Sequence, residues 1–173
     1  MMSMRWIAAF LIALVPAAYA QTGVEEVRKK WPDFRYLDPN QLRELPQVIR
    51  TDLGKLGCRI PKFIKWDAKH NAIQGEFFKS GQKDWAVLCQ TSDKTGILIY
   101  PGGAASDLPM LRAAPTDHTR TIHVVSTFVL RKRAIRDHPE AAPPEFDHDG
   151  IEDGNITEMG SVLYYRDEEW TEQ

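Results

Sequence analysis

The sequence predicts a small single domain of the α+β class: an antiparallel β-meander with an N-terminal helix and a second helix before the last strand. Three observations carry this reading. Four short apolar runs with a period near two follow one another between residues 63 and 100, separated by turn residues. Two segments with helical spacing flank that stretch, at 46–57 and 127–138. The length, 173 residues with a leader at its start, suits one hydrophobic core and would be cramped for two.

The leader is MMSMRWIAAFLIALVPAAYA, residues 1–20: a basic start at Arg5, an apolar run from Trp6 to Val15, and small Ala18 and Ala20 around Tyr19. This is the layout of a cleaved secretory signal, so the mature chain is expected to be residues 21–173, a single α+β domain. The apolar run is about ten residues, against roughly 20 for a bilayer span, which speaks against an uncleaved anchor. No cysteine follows the cut to carry a lipid. Residues 21–40 are polar, broken by Pro32 and Pro39, and read as an ordered lead-in with a helical turn at 24–30. In LPQVIRTDLGKLGC, Pro46 suits a first helical turn, Val48, Ile49, Leu53 and Leu56 share one side, and Gly57 ends the helix.

FIKW (63–66), AIQGEF (72–77), DWAVLCQ (84–90) and GILIY (96–100) then read as successive strands, and residues 101–117 as irregular and exposed. TIHVV (121–125) is a further strand, and Ser126 can cap the second helix. That helix carries Arg131, Lys132, Arg133 and Arg136, either an anionic-ligand patch or a solvated face. GSVLYYRD supplies the returning strand, ending near Trp170.

Leader removal leaves 21 basic against 24 acidic residues, a net charge of −3, and nucleic acid or an anionic membrane would call for a basic excess. Neither is expected as a partner on that count. Nor is stable membrane insertion expected once the leader is cleaved. Cys58 and Cys89 are the two cysteines. In an oxidising compartment they are expected to be bridged, closing a loop of about thirty residues that contributes roughly 3 to 4 kcal/mol. With no C-x-x-C spacing, thiol redox chemistry and a zinc knuckle have no support.

The densest functional candidate is PPEFDHDGIED, residues 143–153. It aligns without a gap on an earlier segment: GEFFKSGQKD (75–84) and PEFDHDGIED (144–153) share Glu, Phe, Gly and Asp at four offsets. Each copy is read as a turn between strands, with its phenylalanine in the core and its glycine at positive φ. The pattern resembles the FG-GAP turns of integrin alpha chains and related secreted propellers. That resemblance implies calcium (Ca2+) held by the side chains of Glu145, Asp147, Asp149 and Asp153 and by the Ile151 carbonyl. The counterparts Glu76, Phe78, Ser80 and Asp84 lack the oxygens for it. Calcium takes six to eight hard oxygens, and extracellular modules hold it with Kd on the order of 10⁻⁴ to 10⁻³ M. Two copies do not close a propeller, so the resemblance is to a turn and not to the fold. A water-facing turn and a catalytic cluster are the other two readings of the loop. More broadly, GCRIP (57–61), GQKDWAVLC (81–89) and HDGIED (148–153) resemble a group of small exported bacterial proteins of unknown function, which implies a periplasmic or secreted location and no activity.

Five histidines, His70, His118, His123, His138 and His148, form neither H-x-x-x-H nor H-E-x-x-H, and there is no G-x-S-x-G or Walker loop. His148 between Asp147 and Asp149 is the best single acid–base candidate, against an exposed histidine in an acidic turn. Asp84 and Trp85 read either as a sugar-stacking pair or as packing groups at a strand start, and Trp66 and Trp170 stand in the same position. The sequence therefore favours an exported domain that binds a small ligand or a protein partner, or supports the envelope. The alternative is a hydrolase or calcium module built on residues 145–153.

Overall fold

The structure, a computed structural model of the chain, describes residues 18–66 and 69–173, with side chains from residue 23 onward. The expected leader therefore lies outside the described residues up to residue 17. Among the described residues the order is α1 (Ala18–Lys30), β1 (Phe34–Leu37), α2 (Gln47–Lys55), β2 (Ile60–Phe63), β3 (Ala72–Gly75), β4 (Asp84–Gln90), β5 (Lys94–Tyr100), β6 (Leu111–Pro115), β7 (Arg120–Val125), α3 (Thr127–Asp137), β8 (Gly150–Asn155), β9 (Glu158–Arg166) and β10 (Glu169–Glu172). The class is α+β and every strand pairing is antiparallel. β3-β4-β5-β6 is one meander, β10-β9-β8-β7 a second, and β1-β2 a separate ribbon.

The layers follow from side-chain alternation along β4 and β5. Trp85, Val87, Cys89, Leu98 and Tyr100 face α2, where they meet Ile49 and Leu53. Ala86, Leu88, Ile97 and Ile99 face the second sheet, where they meet Ile122, Ile151 and Leu163. With both faces covered, β4 is buried at every position, which is why DWAVLCQ reads as a continuous apolar run. Burying Ile49 and Leu53 contributes about 1.5 to 3 kcal/mol each. The far face of the second sheet, Val125, Val162 and Tyr164, is closed by Leu130 of α3 and by Phe146. Phe34, Phe63 and Val27 make a small separate core beneath α1.

Cys58 and Cys89 form a disulfide with Cα atoms 5.4 Å apart, both buried. It fastens the end of α2, closed by Gly57 at φ 65°, to the C-terminal end of β4. A buried disulfide is compatible with an oxidising, exported environment. Asn71, fully buried at φ 62°, joins the two sheets at one corner. Its amide nitrogen donates to the Pro61 carbonyl at 2.7 Å and its amide oxygen accepts the Ile122 N–H at 2.8 Å.

Four elements differ from the sequence expectation. β1 lies in the stretch read as a lead-in, because its pairing with β2 in register Phe34↔Phe63 is non-local. The first expected strand moves from 63–66 to Ile60–Phe63, and Trp66 instead stacks on Phe63 with ring centroids 4.7 Å apart. β6 crosses the stretch expected to be irregular; it pairs with β5 through a bulge. After α3 the chain adds three strands where one was expected.

Candidate functional site

The two related ten-residue segments behave differently. Residues 76–83 do form the turn between β3 and β4, with Phe77 fully buried and Gly81 at φ 81°. The second copy is not such a turn. It follows α3 through Pro143 and Pro144, which have no N–H to donate to a ladder, and from Gly150 it is already strand β8. Gly150 is needed for space, since an added Cβ would stand 2.7 Å from Val162 Cγ1. The two copies touch: the Asp149 N–H donates to the Glu76 carbonyl at 2.8 Å, and the Glu76 N–H donates to Asp149 Oδ2 at 3.1 Å.

This placement commits the acidic groups elsewhere. Asp147 Oδ1 accepts the Tyr164 hydroxyl at 2.9 Å, while the Asp147 N–H donates back to that oxygen at 3.1 Å. Glu145 is exposed, and its carbonyl accepts from Arg166 at 2.5 Å. Ile151 lies between Val124 and Leu163 in the sheet, fully buried. Asp153 points between the sheets and takes Arg120 Nε and Nη2 at 2.7 Å each. The expected calcium ligands are thus split between Tyr164, the Glu76 backbone and Arg120. Among the described residues no three His, Cys, Asp or Glu side chains are grouped so as to hold a metal ion.

His148 is buried and stacked flat on Tyr164, with centroids 4.2 Å apart. Its Nδ1 faces the Asp149 carbonyl at 3.0 Å and its Nε2 the Tyr165 carbonyl at 2.9 Å. With both ring nitrogens held against backbone oxygens, the ring fastens the loop to β9 and offers no free lone pair to a substrate. Nearby, Trp85 is 7% exposed and Asp84 fully buried, so that pair belongs to the core and not to a sugar platform. Trp170 packs against Phe78 and Tyr165. His70 is buried and its Nε2 accepts the Phe63 N–H at 3.0 Å. His123 lies 6.5 Å from Trp66 between ring centroids, and exposed His138 stands 3.7 Å from Glu140.

A larger hollow among the described residues, about 1070 Å³, lies elsewhere, between α1, β1, the end of α2 and the β4–β5 turn. Arg28 of α1 and Arg59 line it, and neither guanidinium has a hydrogen bond or ion pair to a protein side chain or backbone among the described residues. Arg59 lies over the Tyr36 ring, 5.2 Å from its centroid. The exchanged backbone bonds between Arg59 and Gln90, both 2.9 Å, hold it next to the disulfide. Tyr36 hydroxyl and His118 Nδ1 are 2.5 Å apart, and α1 presses on this ring, because an added Cβ at Gly23 would meet His118 Nε2 at 2.9 Å. Gln90 Nε2 donates to the Thr116 hydroxyl at 2.6 Å, closing the floor. Glu25 is the one carboxylate among the lining residues.

No family model matches the chain, and no curated protein or solved structure matches it either.

Within this cleft, burial lowers the His118 pKa, with the Asp117 carboxylate pulling the other way. Burial likewise raises the Tyr36 phenol, opposed by Arg59. Since folding lowers the His118 pKa, the unfolded chain takes up that proton first as pH falls. Stability from this residue is intact above its ordinary value of 6.5 and is lost as pH falls through the lower folded value. His118→Gln is therefore expected to flatten the fall in melting temperature between about pH 7 and pH 5. An unaltered pH profile in the variant would contradict this.

Arg28, Arg59 and His118 escaped sequence reasoning because they come from three separate segments. Arg59 sits inside GCRIP, but only the fold shows that among the described residues its guanidinium has no hydrogen bond or ion pair and faces the cleft.

Proposed function

We propose that the protein is an exported binding domain that takes a small, multiply anionic ligand in the cleft beneath α1. The observation that carries this reading is the pair of guanidiniums, Arg28 and Arg59, which have no hydrogen bond or ion pair to a protein group among the described residues and stand at the rim of a hollow of about 1070 Å³ in a chain of net negative charge. Arginine forks match carboxylate and phosphate oxygens in a two-pronged geometry, and charge-assisted bonds of that kind are about twice as strong as neutral ones. His118 lines the same space and, when protonated, adds a third cationic group there. An anion there favours the protonated His118 ring, so binding strengthens as pH falls below neutrality. The leader-like start and the disulfide support export.

Calorimetry of the purified, oxidised protein against inorganic phosphate, citrate and glucuronate tests the reading. At least one is expected to bind, and Arg28→Glu and Arg59→Glu are each expected to weaken it tenfold or more, about 1.4 kcal/mol. Absence of heat with all three, or unaltered affinity in both variants, would overturn the proposal.

A further inference from the structure

Among the described residues nothing packs on the outward face of α3, and its composition points to a specific surface. At about 100° per residue, Leu130 and Ala134 fall on the inner side, and Leu130 is 2% exposed against the second sheet. Phe128 and Ile135 fall at the opposite pole, 66% and 46% exposed. Arg131 flanks this ridge on one side, and Lys132 and Arg136 flank it on the other. Lys132 Nζ lies 4.8 Å from the Phe128 ring centroid. Among the described residues neither Arg131 nor Lys132 has an ion pair, whereas Arg136 is paired with Asp137 at 2.7 Å and Arg133, nearer the sheet, with Glu152 at 3.0 Å. Met159, at the start of β9, is 74% exposed, and its sulfur sits 3.9 Å from Arg133 on the sheet side of the helix, away from the ridge.

We infer that α3 docks on an anionic lipid bilayer surface, its Phe128–Ile135 ridge entering the headgroup boundary while Arg131 and Lys132 reach lipid phosphates. An exposed apolar ridge flanked by cations, with no acid on the outward arc, is the layout of a helix that lies in a membrane interface. The long stems of Arg131 and Lys132 let their charges remain in the polar layer as the ridge sinks. Charge complementarity selects an anionic surface over a zwitterionic one. The hollow of about 330 Å³ beside α3 is lined by Leu130, Arg133, Ala134 and Asp137 and by none of Phe128, Arg131, Lys132 and Ile135, so the ridge itself meets a partner as a surface, which suits a deformable lipid layer. Net charge does not oppose this, because the excess acids lie outside the arc and surface fields fall off over about 8 Å at physiological salt. This surface is separate from the cleft, none of whose lining residues belongs to α3.

Co-sedimentation of the purified, oxidised protein with vesicles of equal phosphatidylglycerol and phosphatidylcholine, against pure phosphatidylcholine, tests the inference. Partition onto the anionic vesicles is expected, and both Phe128→Ser/Ile135→Ser and Arg131→Glu/Lys132→Glu are expected to reduce it tenfold or more. All these side chains are exposed, so melting temperatures should match the parent. Arg28→Glu/Arg59→Glu should partition as the parent does. No partition would overturn the inference. So would partition indifferent to the Phe128/Ile135 variant, or capture of soluble polyglutamate by α3 without any vesicle binding.

Discussion

Asp153→Ala is expected to cost about 3 to 5 kcal/mol of stability, among the largest losses available to a single substitution in this protein. The Asp153 side chain is 4% exposed and that of Arg120 10%. Their two-pronged contact occupies Arg120 Nε and Nη2, while Nη1 donates to the carbonyls of Thr95 and Arg112 at 2.9 Å each. Arg120 thus ties the second sheet to β5 and β6 of the first. It also secures Arg112, whose backbone sits at φ 48° beside the β5 bulge. Removing Asp153 leaves a buried guanidinium with carbonyls but no counter-charge. The double replacement Asp153→Leu/Arg120→Met removes both charges, and is expected to be markedly more stable than Asp153→Ala. Urea unfolding of the three proteins decides the matter. A loss below about 1 kcal/mol for Asp153→Ala would place this pair among surface ion pairs and refute its role as the inter-sheet tie.

Asp84→Ala is the second severe change, expected to cost about 3 kcal/mol or more, because several donors lose their acceptor at once. Asp84 Oδ2 accepts the N–H groups of Phe77 and Phe78 at 2.8 and 3.0 Å. Its Oδ1 accepts from Gly102 N–H at 2.8 Å and from Gln82 Nε2 at 2.6 Å. One carboxylate therefore shapes both the β3–β4 turn and the turn after β5, where Gly102 adopts φ 59°. Asp84→Asn is expected to fare little better, since its amide nitrogen would face donors on one side. Hydrogen exchange of the Phe77 and Phe78 amides in Asp84→Asn gives a local check: protection as in the parent would contradict the assignment.

These two aspartates occupy the same offset in the paired segments GEFFKSGQKD and PEFDHDGIED, and that is where the sequence was most informative. The matching offset marked two buried hydrogen-bond centres. What a one-dimensional match does not carry is which strand each segment feeds: the first copy connects β3 to β4, while the second arrives from α3 and runs straight into β8. The calcium expectation rested on carboxylates that are close in sequence. Alternation along β8 sends Ile151 and Asp153 into the inter-sheet core, whereas Asp147 and Asp149 stay in the preceding loop.

Local patterns located DWAVLCQ and the helix after Ser126 within a residue or two, and the bridge expected between the two cysteines is present. β1 and β6 were missed because their strand character comes from pairing with distant segments, Phe34 with Phe63 and Thr95 with Ala114. The cleft was invisible for the same reason, since Arg28, Tyr36, Arg59 and His118 meet only through tertiary structure. Arg131 and Lys132 were legible as charges. The exposure of Phe128 and Ile135 between them was not.

The most direct test of the binding proposal follows the arginine side-chain Nε–H resonances of isotope-labelled protein during a citrate titration. Arg28 and Arg59 are expected to shift together and saturably, with one midpoint, while Arg120 in its buried pair stays fixed. Arg28 and Arg59 holding still while another arginine moves would contradict it.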